Sequence, residues 1–404
     1  MDRIYSRRDI LRLGAAGSAG LFLAACGSSA TASPTAAPTP APTPAPTPAA
    51  ASAAPASAAA SAAATPAPSA AVASASPGPL NFLTWSDHWS KDGVARAQQQ
   101  AGIVVNITEL SDNSDGFVKL AQVHGQLDMV SADALWVPLY YNNGLVQPID
   151  INSVDVAGEL YSMAKQFTFW TAPDGYMRYP WGWSPIQIAY NVGQVTPAPD
   201  SWQVLIDPKY KRRIVMENQP TDIMLFAGIA TGAKDIYNMT ADELSKCKDW
   251  LTQLKPNVLK LVSQNSETVA ALADTSAWLG TGNLGMPDRV KDAKGPQVEA
   301  YVPKEGSIGF IDSEMTVKGG QNQSRVIPYL NIGARADLVA QNFLDNGRPL
   351  FNEKAYQLLV NAGHKDRADR YLYNQPEQSL NMTLKGPGGR VQDYIDTFNS
   401  VFGG

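Results

Sequence analysis

The chain has 404 residues, a formal net charge of −5, 44% apolar side chains and nine tryptophans. That acidic balance argues against nucleic acid or an anionic bilayer as a charge-driven partner, and only Cys26 and Cys247 are present, too few for a disulfide framework. No uninterrupted apolar run reaches the roughly 18 residues a spanning helix needs, while the residues from Leu80 onward are enough to bury a large core without cross-links.

Residues 1–25 carry Arg3, Arg7, Arg8 and Arg12 against Asp2 and Asp9, then a weakly apolar stretch from Leu13 to Ala25. This is the grammar of an export signal peptide, and its removal takes the net charge from −5 to about −7. Ser6-Arg7-Arg8-Asp9-Ile10-Leu11-Arg12 resembles the twin-arginine export motif, with Ile10 where that motif usually has Phe. Leu23-Ala24-Ala25-Cys26 resembles a lipobox, in which the bond before Cys26 is cleaved and its thiol takes a diacylglyceride. Cys26 is then consumed, and Cys247 has nothing to pair with.

Residues 27–79 contain only Ala, Ser, Pro, Thr and Gly with a single Val72, so they bury too little surface to offset ordering entropy. They read as a tether, polyproline-like from Pro38 to Pro48 and looser beyond. At about 3.1 Å per residue it reaches at most roughly 160 Å.

From Leu80 the elements alternate. Leu80 to Trp85 predicts a strand, 93–100 a helix, 104–108 a strand, 116–123 a helix and 127–130 a strand. Asp200 or Ser201 is placed to cap a further helix. Thr240-Ala241-Asp242-Glu243 spells a capping box opening a helix through Leu254, with Cys247 inside it. Alternation over more than 300 residues indicates an α/β architecture with mainly parallel sheets.

From about Leu80 to the C-terminus the chain resembles the spermidine/putrescine-binding branch of the bacterial extracellular solute-binding proteins. The likeness is carried by Asn81-Phe82-Leu83-Thr84-Trp85-Ser86, Leu127-Asp128-Met129-Val130 and Gly144-Leu145-Val146-Gln147-Pro148-Ile149-Asp150. Tyr179-Pro180-Trp181-Gly182 with Ile188-Ala189-Tyr190-Asn191, Ser201-Trp202 with Asp207-Pro208-Lys209-Tyr210-Lys211, and Val302-Pro303-Lys304-Glu305-Gly306 with Asp312-Ser313 continue it in order. The resemblance implies a two-lobed periplasmic-binding-protein fold (type II-like), with a ligand cleft between lobes that close by a hinge motion. The expected organisation is signal peptide 1–25, lipidated Cys26 and tether 26–79, lobe one 80–187 plus about 312–368, and lobe two about 188–311 plus about 369–404. Hinges are expected near Trp183 to Asn191 and near Phe310 to Val317.

The resemblance also implies the contacts. Asp312 matches the carboxylate that grips a central ammonium of the polyamine, Asp222 matches a second acidic contact, and Asp133 stands where the family usually has Ser. Trp85 with Ser86 beside it, Trp136, Trp278 and Phe310 fall at or beside aromatic positions, where flat rings suit methylenes and attract ammonium groups. Three positions depart from the family: Gln219 replaces an acid, Leu135 an aromatic and Arg348 a Tyr. Arg348 leaves two readings open, an anion contact for a carboxylate-bearing solute or a partner for Asp133 or Asp312.

The expected partners are a polyamine or related amino-containing solute, an ABC permease, and the membrane through the N-terminal lipid. The chain is expected to act as a monomer on the outer face of the cell membrane, without cofactor, metal or nucleic acid. A sensor with the same closing fold and a lipid-anchored enzyme are the competing classes. Gly280-Thr281-Gly282-Asn283-Leu284-Gly285 fits the dinucleotide fingerprint after a possible strand ending at Trp278 and Leu279, with Glu299 beyond, but it stands late in the chain and is read as a decoy. No G-x-S-x-G elbow is present, and His88, His124 and His364 lack metal-ligand spacing.

Overall fold

The computed structural model describes residues 78–403 apart from 87, 90, 166–170, 173, 174, 177, 178 and 387. Arg7, Arg8, Cys26 and the tether lie outside the described residues.

Strands β1 (Leu80–Thr84), β2 (Val105–Glu109) and β3 (Met129–Asp133) pair in parallel, with β1 in the middle. The helices Lys91–Ala101 and Asn113–Val123 make the crossovers that parallel strands require. Next come β4 (Val146–Gln147), the small antiparallel pair β5 (Thr171–Ala172) and β6 (Gly175–Tyr176), and β7 (Tyr179–Pro185). A second sheet takes β8 (Gln187–Asn191), β9 (Ile214–Glu217), β10 (Val258–Val262), β11 (Leu279–Gly282) and β12 (Val298–Tyr301) in the order β10-β9-β11-β8-β12. The chain then returns to the first sheet through β13 (Ile308–Val317) and β14 (Thr383–Leu384), giving the order β14-β13-β3-β1-β2 with β4 and β7 also on β13.

Each sheet packs against its own apolar cluster. The first buries Phe82, Trp89, Trp181 and Phe343, with Trp89 stacked on Trp181 at 4.0 Å, and the second buries Trp202, Phe226, Cys247 and Trp250. The capping box at Thr240 forms as the spacing predicts, its hydroxyl accepting from Glu243 N and the Glu243 carboxylate accepting from Thr240 N. Ser201 caps as well, accepting from Gln203 N, although what it opens is a single 3-10 turn, Trp202–Ile206.

The chain passes between the sheets at Pro185 to Gln187, between Tyr301 and Ile308, and between Leu384 and Val391. The second passage comes a few residues earlier than the stretch from Phe310 to Val317, because β13 is already hydrogen-bonded to β7 from Gly309 onward. The third comes later than about 369, because Tyr371 and Tyr373 pack into the first core and β14 pairs with β13. The glycine-rich fingerprint is also explained by packing: Gly280 and Gly282 lie within β11, and a Cβ on Gly280 would sit 2.9 Å from Thr268 Cγ2. These glycines let helix Asn265–Ala273 approach the strand, and Glu299 in β12 accepts from Tyr190 Oη at 2.9 Å.

Candidate functional site

The carboxyl ends of the parallel strands of both sheets converge, as in open α/β sheets generally. Beyond β1 stands Trp85, at the end of β3 Asp133, at the end of β9 Glu217, beyond β10 Gln264 and beyond β11 Asn283, and all five line one cavity of about 50 Å³. Phe310, Asp312, Arg348 and Lys385 line it too, as does Gln219. A neighbouring chamber of about 80 Å³ is lined by Asp112, Asn113, Trp136, Gln219 and Asp222 among others. Each holds a few waters at most. A hydrogen bond from Ser86 Oγ to Gln264 Oε1 at 3.0 Å crosses the cleft.

Register creates the electrostatics. In the antiparallel pairing of β13 with β3, Asp312 lies directly opposite Asp133, and Glu314 opposite Ser131. Like charges facing each other across a ladder repel, so both aspartates, 1% and 2% exposed, need cations. Three are supplied. Lys385 places its ammonium 3.2 Å from Asp133 Oδ2 and 3.3 Å from Asp222 Oδ2. Arg348 Nη1 stands 3.5 Å from Asp312 Oδ2, and His88 bridges Asp312 at 3.0 Å and Glu314 at 3.1 Å.

The titration behaviour follows from these contacts. Burial pushes the Asp133 carboxyl up to about 7, although Lys385 opposes this. Burial works against the charge of Asp312 too, but His88 and then Arg348 hold it below the ordinary carboxylate range. Burial alone would lower His88, yet the charges of Asp312 and Glu314 outweigh it and raise the imidazole to about 9. Lys385 follows the same logic: burial disfavours its charge, and Asp133 with Asp222 more than restore it.

Aromatic rings complete the walls. Phe310 lies 5.2 Å from the Lys385 ammonium and 5.7 Å from the Arg348 guanidinium, within cation–π range. The lining of the two chambers carries five carboxylates, Asp112, Asp133, Glu217, Asp222 and Asp312, against the two cations Arg348 and Lys385. An acidic excess of this kind suits a positively charged guest.

Trp85, Asp133, Phe310, Asp312 and Arg348 thus share one chamber, Trp136 and Asp222 the next, and Ser86 bonds across the mouth. Trp278 is a correction. It precedes β11 and so lies at the strand end opposite Asn283; its ring stacks with the Arg213 guanidinium at 4.7 Å and it lines neither chamber. Trp183 is buried in the first core and lines neither chamber. Sequence reasoning missed His88, Glu217, Gln264 and Lys385. His88 lies more than 200 positions from its two carboxylates, and Lys385 follows an unremarkable two-residue strand, so no local pattern marks either.

The sequence profile of a family described as bacterial extracellular solute-binding protein matches residues 127–366. The chain is similar to the putrescine-binding periplasmic protein of Escherichia coli K12, 26% identical over 285 residues, covering 66% of this chain and 76% of the relative. Among solved structures, it is similar to the spermidine/putrescine ABC transporter substrate-binding protein of Streptococcus pneumoniae, with TM-score 0.64 and 18% identity, covering 80% of this chain and 98% of that one. It is also similar to the Tp0655 lipoprotein of Treponema pallidum, with TM-score 0.65 and 17% identity, covering 80% and 98%.

Proposed function

The chain belongs to the bacterial extracellular solute-binding proteins, and from that premise we propose that it captures a polyamine or a related amino-containing solute for an ABC-type importer. In this reading the two lobes close on the solute, whose ammonium groups pair with Asp133, Asp222 and Asp312 while its methylenes lie along Trp85, Trp136 and Phe310. Charge-assisted hydrogen bonds gain strength as closure excludes water. The solute is released unchanged, and the chain has no catalytic role. The domain is a monomer held at the outer face of the cell membrane by a lipid on Cys26 and carried there by the export signal around Arg7 and Arg8.

One observation carries the reading: an ammonium group already fits between Asp133 of one lobe and Asp222 of the other, at 3.2 and 3.3 Å, over the face of Phe310. The rival reading, a carboxylate gripped by Arg348, has less support because that guanidinium is turned onto Asp312. Titration calorimetry tests the choice. Putrescine or spermidine should bind with micromolar or tighter affinity, and heat from sugars or inorganic anions alone would reject it. Transport requires a permease and an ATPase encoded beside this chain, and their absence would favour a sensor.

A further inference from the structure

Lys385 lines the first chamber from just beyond the end of β14, a two-residue strand of the first sheet. It follows β14 on the third passage between the sheets, tied by its backbone N to Gly309 O at 2.7 Å, and Gly386, Pro387, Gly388 and Gly389 come after it. Its side chain, 10% exposed, lines the first chamber and reaches Gln219 and Asp222, which line the second. There its ammonium forms ion pairs with Asp133 Oδ2 at 3.2 Å and Asp222 Oδ2 at 3.3 Å and donates to Gln219 Oε1 at 3.4 Å. A lysine side chain is a butylammonium, the same chemistry as one end of an aliphatic diamine.

Two features separate this group from a simple structural staple. All three contacts, at 3.2, 3.3 and 3.4 Å, are longer than the 2.7–2.9 Å usual for charge-assisted N–H···O bonds. Lys385 also pairs at once with Asp133, which lines the first chamber, and with Asp222, which lines the second.

We propose that Lys385 is a tethered counter-ion: it fills the ammonium subsite between Asp133 and Asp222, and a cationic solute binds by displacing it. Lys385 thereby sets affinity and selectivity among amines. Without it, lobe closure brings two buried carboxylates together uncompensated, and an external ammonium is needed in its place. The inference rests on the amine-binding reading for its consequence but not for the subsite itself.

The test uses the full chain with Lys385→Met and Lys385→Ala. Calorimetry should find that Lys385→Met binds putrescine at least tenfold more tightly than the unsubstituted protein. Lys385→Ala should gain thermal stability saturably with n-propylammonium, which replaces the atoms removed, and not with tetramethylammonium at equal ionic strength. Measurable putrescine binding that is no tighter in folded Lys385→Met than in the unsubstituted protein overturns the proposal, as does a Lys385→Ala protein that n-propylammonium cannot restore. If the rescue succeeds but no diamine binds either protein, the tethered counter-ion stands and the polyamine reading falls.

Discussion

His88 should make the protein lose stability between pH 7 and pH 9. The imidazole is fully buried between Asp312 at 3.0 Å and Glu314 at 3.1 Å, which raise it from 6.5 to about 9. A folded value above the unfolded one contributes stability that is complete below pH 6.5 and disappears as pH rises through about 9. The full effect is about 3 kcal/mol at roughly 1.4 kcal/mol per unit, and about 2 kcal/mol of it falls between pH 7 and pH 9. Asp133 does not obscure that window. Its folded value of about 7 also lies above the unfolded one, so its contribution is lost between pH 3.8 and about 7. Urea unfolding, followed by both Trp fluorescence and far-UV circular dichroism so that coincident transitions license a free energy, measures the loss. A stability that changes by less than about 0.5 kcal/mol over this range, or a His88 resonance titrating below pH 7, would refute the assigned charge state.

Three further outcomes test the site and the anchor. Asp222→Asn should weaken putrescine binding tenfold to a hundredfold, since a hydrogen bond to a charged group contributes about 1.5–3 kcal/mol; calorimetry at constant salt reads it, and an unchanged affinity removes Asp222 from the solute contacts. Trp85→Ala should cost about 1–2 kcal/mol of the same affinity through lost cation–π attraction and wall area, whereas Trp278→Ala, whose ring lies against Arg213, should leave it unchanged within about twofold. Equal losses in both would show that distance from the chambers does not decide these effects. Cys26→Ser should move the protein from the membrane fraction to the soluble extracytoplasmic fraction, because a thioether cannot form on serine; retention at the membrane would mean a different attachment.

The sequence by itself determined what depends on near neighbours along the chain. Strand and helix alternation from Leu80 to Asp133, the capping box from Thr240 to Glu243 and the N-cap at Ser201 are set by periodicity and by side chains one to four residues away, and each element forms. Asp312, Asp133 and Phe310 were singled out through resemblance, and they share a chamber because strand ends and β13 deliver them there. Tertiary structure decided everything that depends on register and on partners distant in sequence. The pairing of β13 with β3 sets Asp312 against Asp133, and that repulsion gives His88, Arg348 and Lys385 their roles, none of which has a local signature. The same long-range geometry took Trp278 out of the cleft: an aromatic residue at the amino end of a strand and one at its carboxyl end look alike in sequence, yet only the latter faces the opposing lobe.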